Sequence, residues 1–172
     1  MDAIGVLRQQ LKEAHDWMEG TMQGVTSQHL HWQPPGKANT LAACYIHVVM
    51  GEDWAINTLL KGGAPLAATT HAGKAGFSEP PPADPTVSWY EWGRRVKVDL
   101  PAMQKYAQAV YANSDKYLST LKESELDQKI DTPLGAQTRL WLLSNVVIGH
   151  IHNFAGEISC LKGLQGLKGY PA

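Results

Sequence analysis

Apolar residues recur at three- and four-residue spacing in four long segments of the chain. The first, residues 2–23, has an apolar stripe with its charged side chains off that stripe, which is typical of an amphipathic helix. The second, residues 41–60, is apolar almost all round in its first half, as expected for a helix buried on most sides. The third begins near Ser88 and ends near residue 121, and the fourth spans residues 139–164. The pattern therefore predicts four helices.

Capping residues and prolines mark the boundaries of these helices. Asn39 or Thr40 is placed to cap the second helix. Pro101 lies inside the third segment, which predicts a kink there or a break near Asp99. Residues 61–86 are rich in Gly, Ala and Pro, and a connection of this length is often functional.

These features predict an all-α fold in a single domain covering residues 1–172. No segment alternates with period two and no hairpin pattern occurs, so strands are not expected. The long connection between the second and third helices favours a four-helix bundle with a crossover, in up-down-down-up order. A chain of 172 residues buries roughly 70% of its unfolded surface in one core.

The charge balance excludes several classes of partner. Lys and Arg number 15 against 16 Asp and Glu, for a net charge of −1, so no overall field attracts nucleic acid or an anionic membrane. No apolar run approaches the roughly 18 residues of a membrane span, and the N-terminal residues lack the apolar core of a secretory signal. We therefore expect a cytoplasmic protein that binds neither nucleic acid nor membrane.

Two groups of side chains receive structural interpretations. Cys44 and Cys160 lie in helical patterns without the CxxC spacing of a metal or redox site, so both are interpreted as small buried apolar residues. Trp89, Tyr90 and Trp92 cluster at the start of the third helix. Their large apolar surfaces predict a staple that holds helices together.

The stretch VIGHIHNFAGEI, residues 147–158, contains two histidines two positions apart. On an α-helix, residues two apart point about 200° apart, whereas residues four apart differ by only about 40°. His150 shares the phase of the apolar seam of the fourth helix, so it should face the core while His152 lies near the surface or against another face. The two histidines therefore do not form one site.

Two further histidines are predicted to face the core on other helices. His47 lies in the apolar half of the second helix, and His15 lies on the stripe of the first. Burying an imidazole without a partner costs about 1–3 kcal/mol, so each requires a hydrogen bond or a ligand. One interpretation is that His15, His47 and His150 meet in the bundle core, where bundles build metal sites. The other is that each is a structural histidine with a hydrogen-bond partner.

Three other side chains are candidates for completing a metal site. Glu157 follows His150 by seven residues and faces nearly the same way, so it is either a carboxylate ligand or a surface group. His71 lies in the long connection, which is able to fold over the mouth of a site. Asn153 is close to His150 in sequence, but amides are poor ligands for zinc-type metals.

Three stretches resemble the DinB-like superfamily of four-helix bundles. The stretch LRQQLKEAHDWMEGTM is similar to its first helix, and HIHNFAGEISCLKGLQG is similar to its last helix. The stretch HWQPPGKANTLAACYIHVVMGEDWAINTLLKGG is similar to its Trp-Pro turn, histidine-bearing second helix and closing glycine. The resemblance covers most of the chain and implies a DinB-like four-helix bundle with the long crossover between helices two and three.

The resemblance also implies a divalent metal held by one histidine of the second helix and an H-x-x-x-H pair of the fourth. His47 matches the first ligand and His150 the second, whereas Phe154 occupies the position of the third. Two protein histidines hold zinc or nickel weakly unless another donor replaces the third. The candidate replacements are His15, His71, Glu157 and Asn153.

Two functions follow from the resemblance. In the first, the protein is similar to metal-dependent thiol transferases or isomerases: a metal with open positions binds a low-molecular-weight thiol, lowers its pKa and presents the thiolate to a small electrophile. In the second, Phe154 fills the gap with hydrocarbon, and the protein is a non-catalytic bundle that binds a small ligand or a partner. Because family members often pair through helix faces, a homodimer is expected in either case.

Overall fold

The computed structural model describes residues 2–82, 88–133 and 135–171, and these residues are mostly helical. Two stretches have π-helical geometry, Trp54–Leu60 and Leu142–Gly149. Short 3₁₀ turns occur at Leu66–Ala68 and Glu123–Glu125. The α-helices are α1 (Ala3–Met22), α2 (Ser27–His31), α3 (Leu41–Asp53), α4 (Trp89–Arg95), α5 (Leu100–Thr120), α6 (Arg139–Trp141) and α7 (His150–Gly163).

The helix boundaries follow the capping chemistry of the sequence. Thr40, one of the two predicted caps, accepts the backbone N–H of Ala43 at the start of α3 and donates to the Gly93 carbonyl of α4. Asp99 caps α5, and Pro101 lies in the first turn of that helix, where no intrahelical N–H is needed. The predicted break near Asp99 is confirmed, because α4 ends before it and α5 begins after it.

Contacts at the helix ends fix the direction of α1 relative to its neighbours. Arg8, near the start of α1, forms a bidentate pair with Asp115, near the end of α5. The ammonium of Lys162, at the end of α7, donates to the backbone carbonyl of Thr21 at the end of α1. Helix α1 is therefore antiparallel to α5 and parallel to α7.

The end of α3 aligns with α5 in the same direction. The Tyr106 hydroxyl donates to Asp53 at 2.6 Å. Further toward the C-terminus on both elements, the Asn113 amide donates to Asn57 at 3.1 Å. Helices α3 and α5 thus run parallel to each other and opposite to α1 and α7. The order is the up-down-down-up arrangement predicted for the bundle.

The core fills the space between the four long helices. Trp92 of α4, Tyr45 of α3 and Tyr106 of α5 are its largest fully buried side chains. Two residues of the aromatic cluster at the start of the predicted third helix differ in burial. Trp92 packs in the core, as expected of a residue that holds helices together, while Trp89 is only half-buried. Among the described helices, none is both long and apolar enough to cross a bilayer.

A small β-hairpin departs from the all-helical expectation. Strands β1 (Lys129–Thr132) and β2 (Gly135–Thr138) pair antiparallel just before α6. Gly135 has φ of 88°, a left-handed conformation that glycine adopts without strain. No residue of either strand is fully buried, and their sequences carry no apolar alternation, so the sequence lacks the pattern by which a half-buried strand is recognised.

The long connection after α3 is tied to the bundle rather than free. The Asp53 carboxylate accepts the backbone N–H groups of Leu66 and Ala67 at 2.8 and 3.0 Å. Further along, Phe77 forms an isolated antiparallel bridge with Val98. The last part of the predicted connection, residues 83–86, lies outside the described residues.

Candidate paired-histidine site

His47 and His150 face each other across the interface between α3 and the start of α7. Their Nε2 atoms are 3.1 Å apart, and their ring centroids are 4.9 Å apart. Helical phase predicted that both would face inward, and the structure brings the two rings together. One Nε2–H donates to the other Nε2, so the pair satisfies one polar atom on each ring.

Both imidazoles are neutral in this environment. Burial and, to a smaller extent, repulsion from the nearby His150 together lower the pKa of His47 from 6.5 to about 4. Burial also lowers the pKa of His150 below its ordinary value. Two adjacent half-buried rings cannot both carry a positive charge without strong repulsion, so at neutral pH each ring has one N–H and one lone pair.

Phe154 closes the third side of the histidine pair. Its ring centroid is 4.8 Å from that of His47 and 4.7 Å from that of His150. Phe154 follows His150 by one helical turn, which places its side chain on the same face of α7. The position that would supply a third nitrogen therefore supplies hydrocarbon instead.

A pocket of about 250 Å³ opens beside the pair. Trp89 forms one wall, with its ring edge-on to His47 at a centroid distance of 4.7 Å and an interplanar angle of 83°. Phe154 forms another wall, and Asn39 and Cys44 contribute the other polar atoms. The pocket is thus aromatic on two sides, with few hydrogen-bonding groups.

The Cys44 thiol is held in its protonated form. Burial raises the pKa of the thiol far above its ordinary value, and the neighbouring Glu157 carboxylate raises it further by its charge and by a hydrogen bond. A thiolate is the reactive form of cysteine. Cys44 therefore lines the pocket as a weakly polar wall rather than as a nucleophile.

The structure places His15 away from the histidine pair. Its Nε2 lies 3.0 Å from both carboxylate oxygens of Glu52, and its ring stacks on Tyr111 at a centroid distance of 3.8 Å. The expectation that His15 meets His47 and His150 is not met, because helical phase fixes which face is buried but not which neighbouring helix it meets.

The other candidate donors also lie elsewhere. His71 packs against Tyr106 of α5, with ring centroids 5.6 Å apart. Glu157 faces Cys44 rather than the two imidazoles. Asn153 and His152 are exposed on the outer face of α7. The outward orientation predicted for His152 is confirmed.

The donor set fits a divalent metal only in part. Two nitrogens that each bind one zinc ion at about 2.0–2.1 Å with tetrahedral angles are about 3.3 Å apart, close to the 3.1 Å between the Nε2 atoms of His47 and His150. Within the described residues, however, no group of three or more His, Cys, Asp or Glu side chains is arranged to hold a metal. The protein supplies two donors where a stable site requires three or four.

For two pocket residues, the sequence predicts only structural roles. Cys44 precedes His47 by three residues, and this helical spacing places both side chains on one face of α3. Cys160, assigned to the core in the same way, is exposed. Trp89 reaches His47 through the tertiary packing of α4, which no local pattern encodes.

Fold and site together define a helical bundle whose second and last long helices carry facing histidines. The profile of the DinB superfamily matches residues 10–155, and the chain belongs to that superfamily. A solved structure described as the conserved protein of locus from Enterococcus faecalis is similar to this chain with a TM-score of 0.81 and 22% identity, over 95% of this chain and 97% of that one. That likeness shows a shared fold. Comparison with functionally curated proteins gives no match.

Proposed function

We propose that this DinB-superfamily bundle binds a small, mainly apolar ligand beside the His47–His150 pair and performs no metal-dependent reaction there. The observation that supports the proposal is the contact of Phe154 with both imidazoles, at 4.8 and 4.7 Å between ring centroids. A phenyl ring offers a surface for an apolar ligand and no coordinating atom.

The walls of the pocket indicate the chemistry of this ligand. The rings of Trp89 and Phe154 favour stacking or edge contacts with a planar group. The neutral imidazole of His47 and the amide of Asn39 offer hydrogen bonds to one polar substituent. A volume of about 250 Å³ lies just below the roughly 300–1,000 Å³ of pockets for drug-sized ligands. A substituted aromatic ring of fragment size has this combination of properties.

A fragment screen by ligand-observed NMR tests the proposal, using monocyclic aromatic compounds with one polar substituent. Binding should be lost in Trp89→Ala and retained in Trp141→Ala, a matched control because Trp141 is 36% exposed and lies outside the pocket lining. Saturable binding that survives Trp89→Ala, or no binding by any fragment, would contradict the assignment of this pocket.

A second candidate function is supported by the 3.1 Å separation of the two Nε2 atoms. In this alternative the pair holds zinc or nickel weakly, and an external donor completes the coordination. If that donor is a low-molecular-weight thiol, the bound metal would lower its pKa, and the thiolate would be transferred to a small electrophile. The protonated Cys44 offers no competing thiolate, so the thiol would come from solution.

Elemental analysis of protein purified without a histidine tag, followed by calorimetric titration with zinc and nickel, separates the two candidates. About one bound metal per chain with micromolar or tighter affinity, strengthened by added N-acetylcysteine, would support the thiol-dependent function. No bound metal and no heat of titration, with or without the thiol, would leave the ligand-binding function as the conclusion.

A further inference from the structure

A second and larger cleft, of about 600 Å³, opens between α1 and α5. At its floor lies His15, whose Nε2 is 3.0 Å from both oxygens of Glu52. His15 is only 8% exposed and Glu52 only 1%. A buried carboxylate that orients an imidazole in this way fixes the proton on the bonded nitrogen.

The remaining ring nitrogen of His15 is available to the cleft. Within the described part of the chain, Nδ1 makes no hydrogen bond. It is not fully enclosed by the protein. In the neutral ring whose Nε2–H donates to Glu52, Nδ1 is an acceptor. The ring is held in place by stacking on Tyr111.

Glu19 supplies a second acceptor in the same cleft. The hydroxyls of Tyr45 and Tyr111 both donate to its Oε1, at 2.8 and 2.9 Å. Burial raises the pKa of both phenols far above the ordinary value, and the Glu19 carboxylate raises each further, so both remain donors. Oε2 of Glu19 receives no hydrogen bond from the described residues.

The charges along the cleft leave Glu19 as the uncompensated group. Arg8 is engaged by Asp115 in a bidentate pair, and Lys12 is engaged by Asp16 one helical turn away. The cleft lining carries these two cations against three carboxylates, those of Asp16, Glu19 and Asp115. The charge left over is therefore negative, and Glu19 lies one helical turn after His15 on α1.

We propose that the cleft between α1 and α5 binds a small organic cation through a primary ammonium group, with Glu19 as its charge partner and Nδ1 of His15 as its second acceptor. An ammonium has three N–H donors and no acceptor, which complements a floor whose free polar atoms are acceptors. Leu11 and the ring of Tyr111 line the same cleft and provide apolar surface for the body of the ligand.

Calorimetric titration with phenethylamine tests this site, with 3-phenylpropionate and 3-phenyl-1-propanol as matched anionic and neutral probes. The amine should bind, and the other two should bind at least about ten-fold more weakly, since a charge-assisted hydrogen bond is lost. Equal binding of all three probes, or binding of none, would overturn the proposal. This comparison uses the unaltered chain and does not depend on any variant folding.

Two substitutions on α1 locate the binding. Glu19→Gln keeps a carbonyl oxygen for the two tyrosine hydroxyls but removes the charge, and it should weaken amine binding by about ten-fold or more. Glu13→Gln is the matched control, because Glu13 is exposed on the same helix outside this cleft, and it should leave binding unchanged. Equal effects of the two substitutions would mean a non-specific charge effect and would contradict the site.

The role of His15 has its own measurement. The nitrogen-15 chemical shift of Nδ1 should move on addition of phenethylamine, because the proposed recognition has the ammonium donating to that atom. An Nδ1 signal that does not move, or that is the signal of a protonated nitrogen in the complex, would remove His15 from the proposed recognition.

Discussion

The Nε2 atom of His47 lies 3.1 Å from the Nε2 atom of His150, although 103 positions separate the two residues in the sequence. Close packing of α3 against the start of α7 makes this approach feasible. A Cβ on Gly51, one turn after His47, would lie only 3.2 Å from Cε1 of His150. The absence of a side chain at Gly51 therefore leaves room for the His150 ring.

Phe154→His should convert the pair into a three-histidine site. The replacement ring would occupy the position of a phenyl group that contacts both imidazoles, and three histidines are a sufficient protein ligand set for zinc. We expect micromolar or tighter zinc or nickel binding by calorimetry, at least about ten-fold tighter than in the unaltered chain. Phe154→Leu, which adds no donor, is the control.

Removal of single histidines in the Phe154→His background tests the orientation of each ligand. His47→Ala and His150→Ala should each abolish the new binding, whereas His152→Ala should leave it intact because His152 is exposed. Unchanged metal affinity in Phe154→His itself would mean that residue 154 does not occupy the third-ligand position of the DinB superfamily.

Acid should destabilise the fold through the histidine pair. The pKa of His47 is lowered from 6.5 to about 4 by burial and by His150, so between these values the unfolded chain binds a proton that the folded chain does not. The stability contributed by the neutral ring is complete above pH 6.5 and is lost as the pH falls toward 4. After allowing for partial exposure, we expect a loss of about 1–2 kcal/mol from this residue.

Urea denaturation between pH 4 and 7.5 measures this contribution. His47→Gln should flatten the dependence of the free energy of unfolding on pH, because the substituted residue does not titrate in that range. His152→Gln is the control, since its exposed ring should not contribute. A slope that is identical in His47→Gln and the unaltered chain would contradict the lowered pKa of His47.

Most of the fold could be predicted because its signals are local. Thr40 and Asp99 mark helix starts through their own side chains, and the apolar seam gives the phase of His150 and His152 directly. The hairpin at residues 129–138 could not be predicted in this way, because its strands have no fully buried residue and their sequences carry no apolar alternation.

The composition of the site was only partly predictable. Helical phase showed that His15, His47 and His150 face the core, but the partner of each ring depends on which helices are adjacent. His15 points toward Glu52 and His47 toward His150, and nothing in either sequence neighbourhood distinguishes these outcomes. The contact of Trp89 with His47 likewise arises only when α4 packs against α3.

Lys162 should contribute measurably to stability although its charge is buried. Its ammonium donates to the backbone carbonyls of Thr21 and Gln23, the latter at 2.9 Å, at the end of α1. Lys162→Met would leave both carbonyls without this donor, and we expect a loss of about 1–3 kcal/mol in the free energy of unfolding. Lys168→Met, at an exposed position nearby in sequence, should change stability little. Equal effects of the two substitutions would show that the Lys162 contacts are energetically neutral.

The His15–Glu52 pair should show strong energetic coupling in a double-mutant cycle. His15→Leu leaves the Glu52 carboxylate buried at 1% exposure without this hydrogen-bond partner, and loss of a hydrogen bond to a buried charged group costs about 1.5–3 kcal/mol. Glu52→Leu leaves an unpaired imidazole nitrogen at a cost of about 1–3 kcal/mol. The double variant should lose less stability than the sum of the two single losses, because neither polar group then remains unpaired.

The exposed Arg8–Asp115 pair provides the comparison, with an expected coupling below about 1 kcal/mol. Additive losses at His15 and Glu52, measured by urea denaturation, would mean that the two groups do not stabilise each other and that Glu52 does not fix the orientation of the His15 ring.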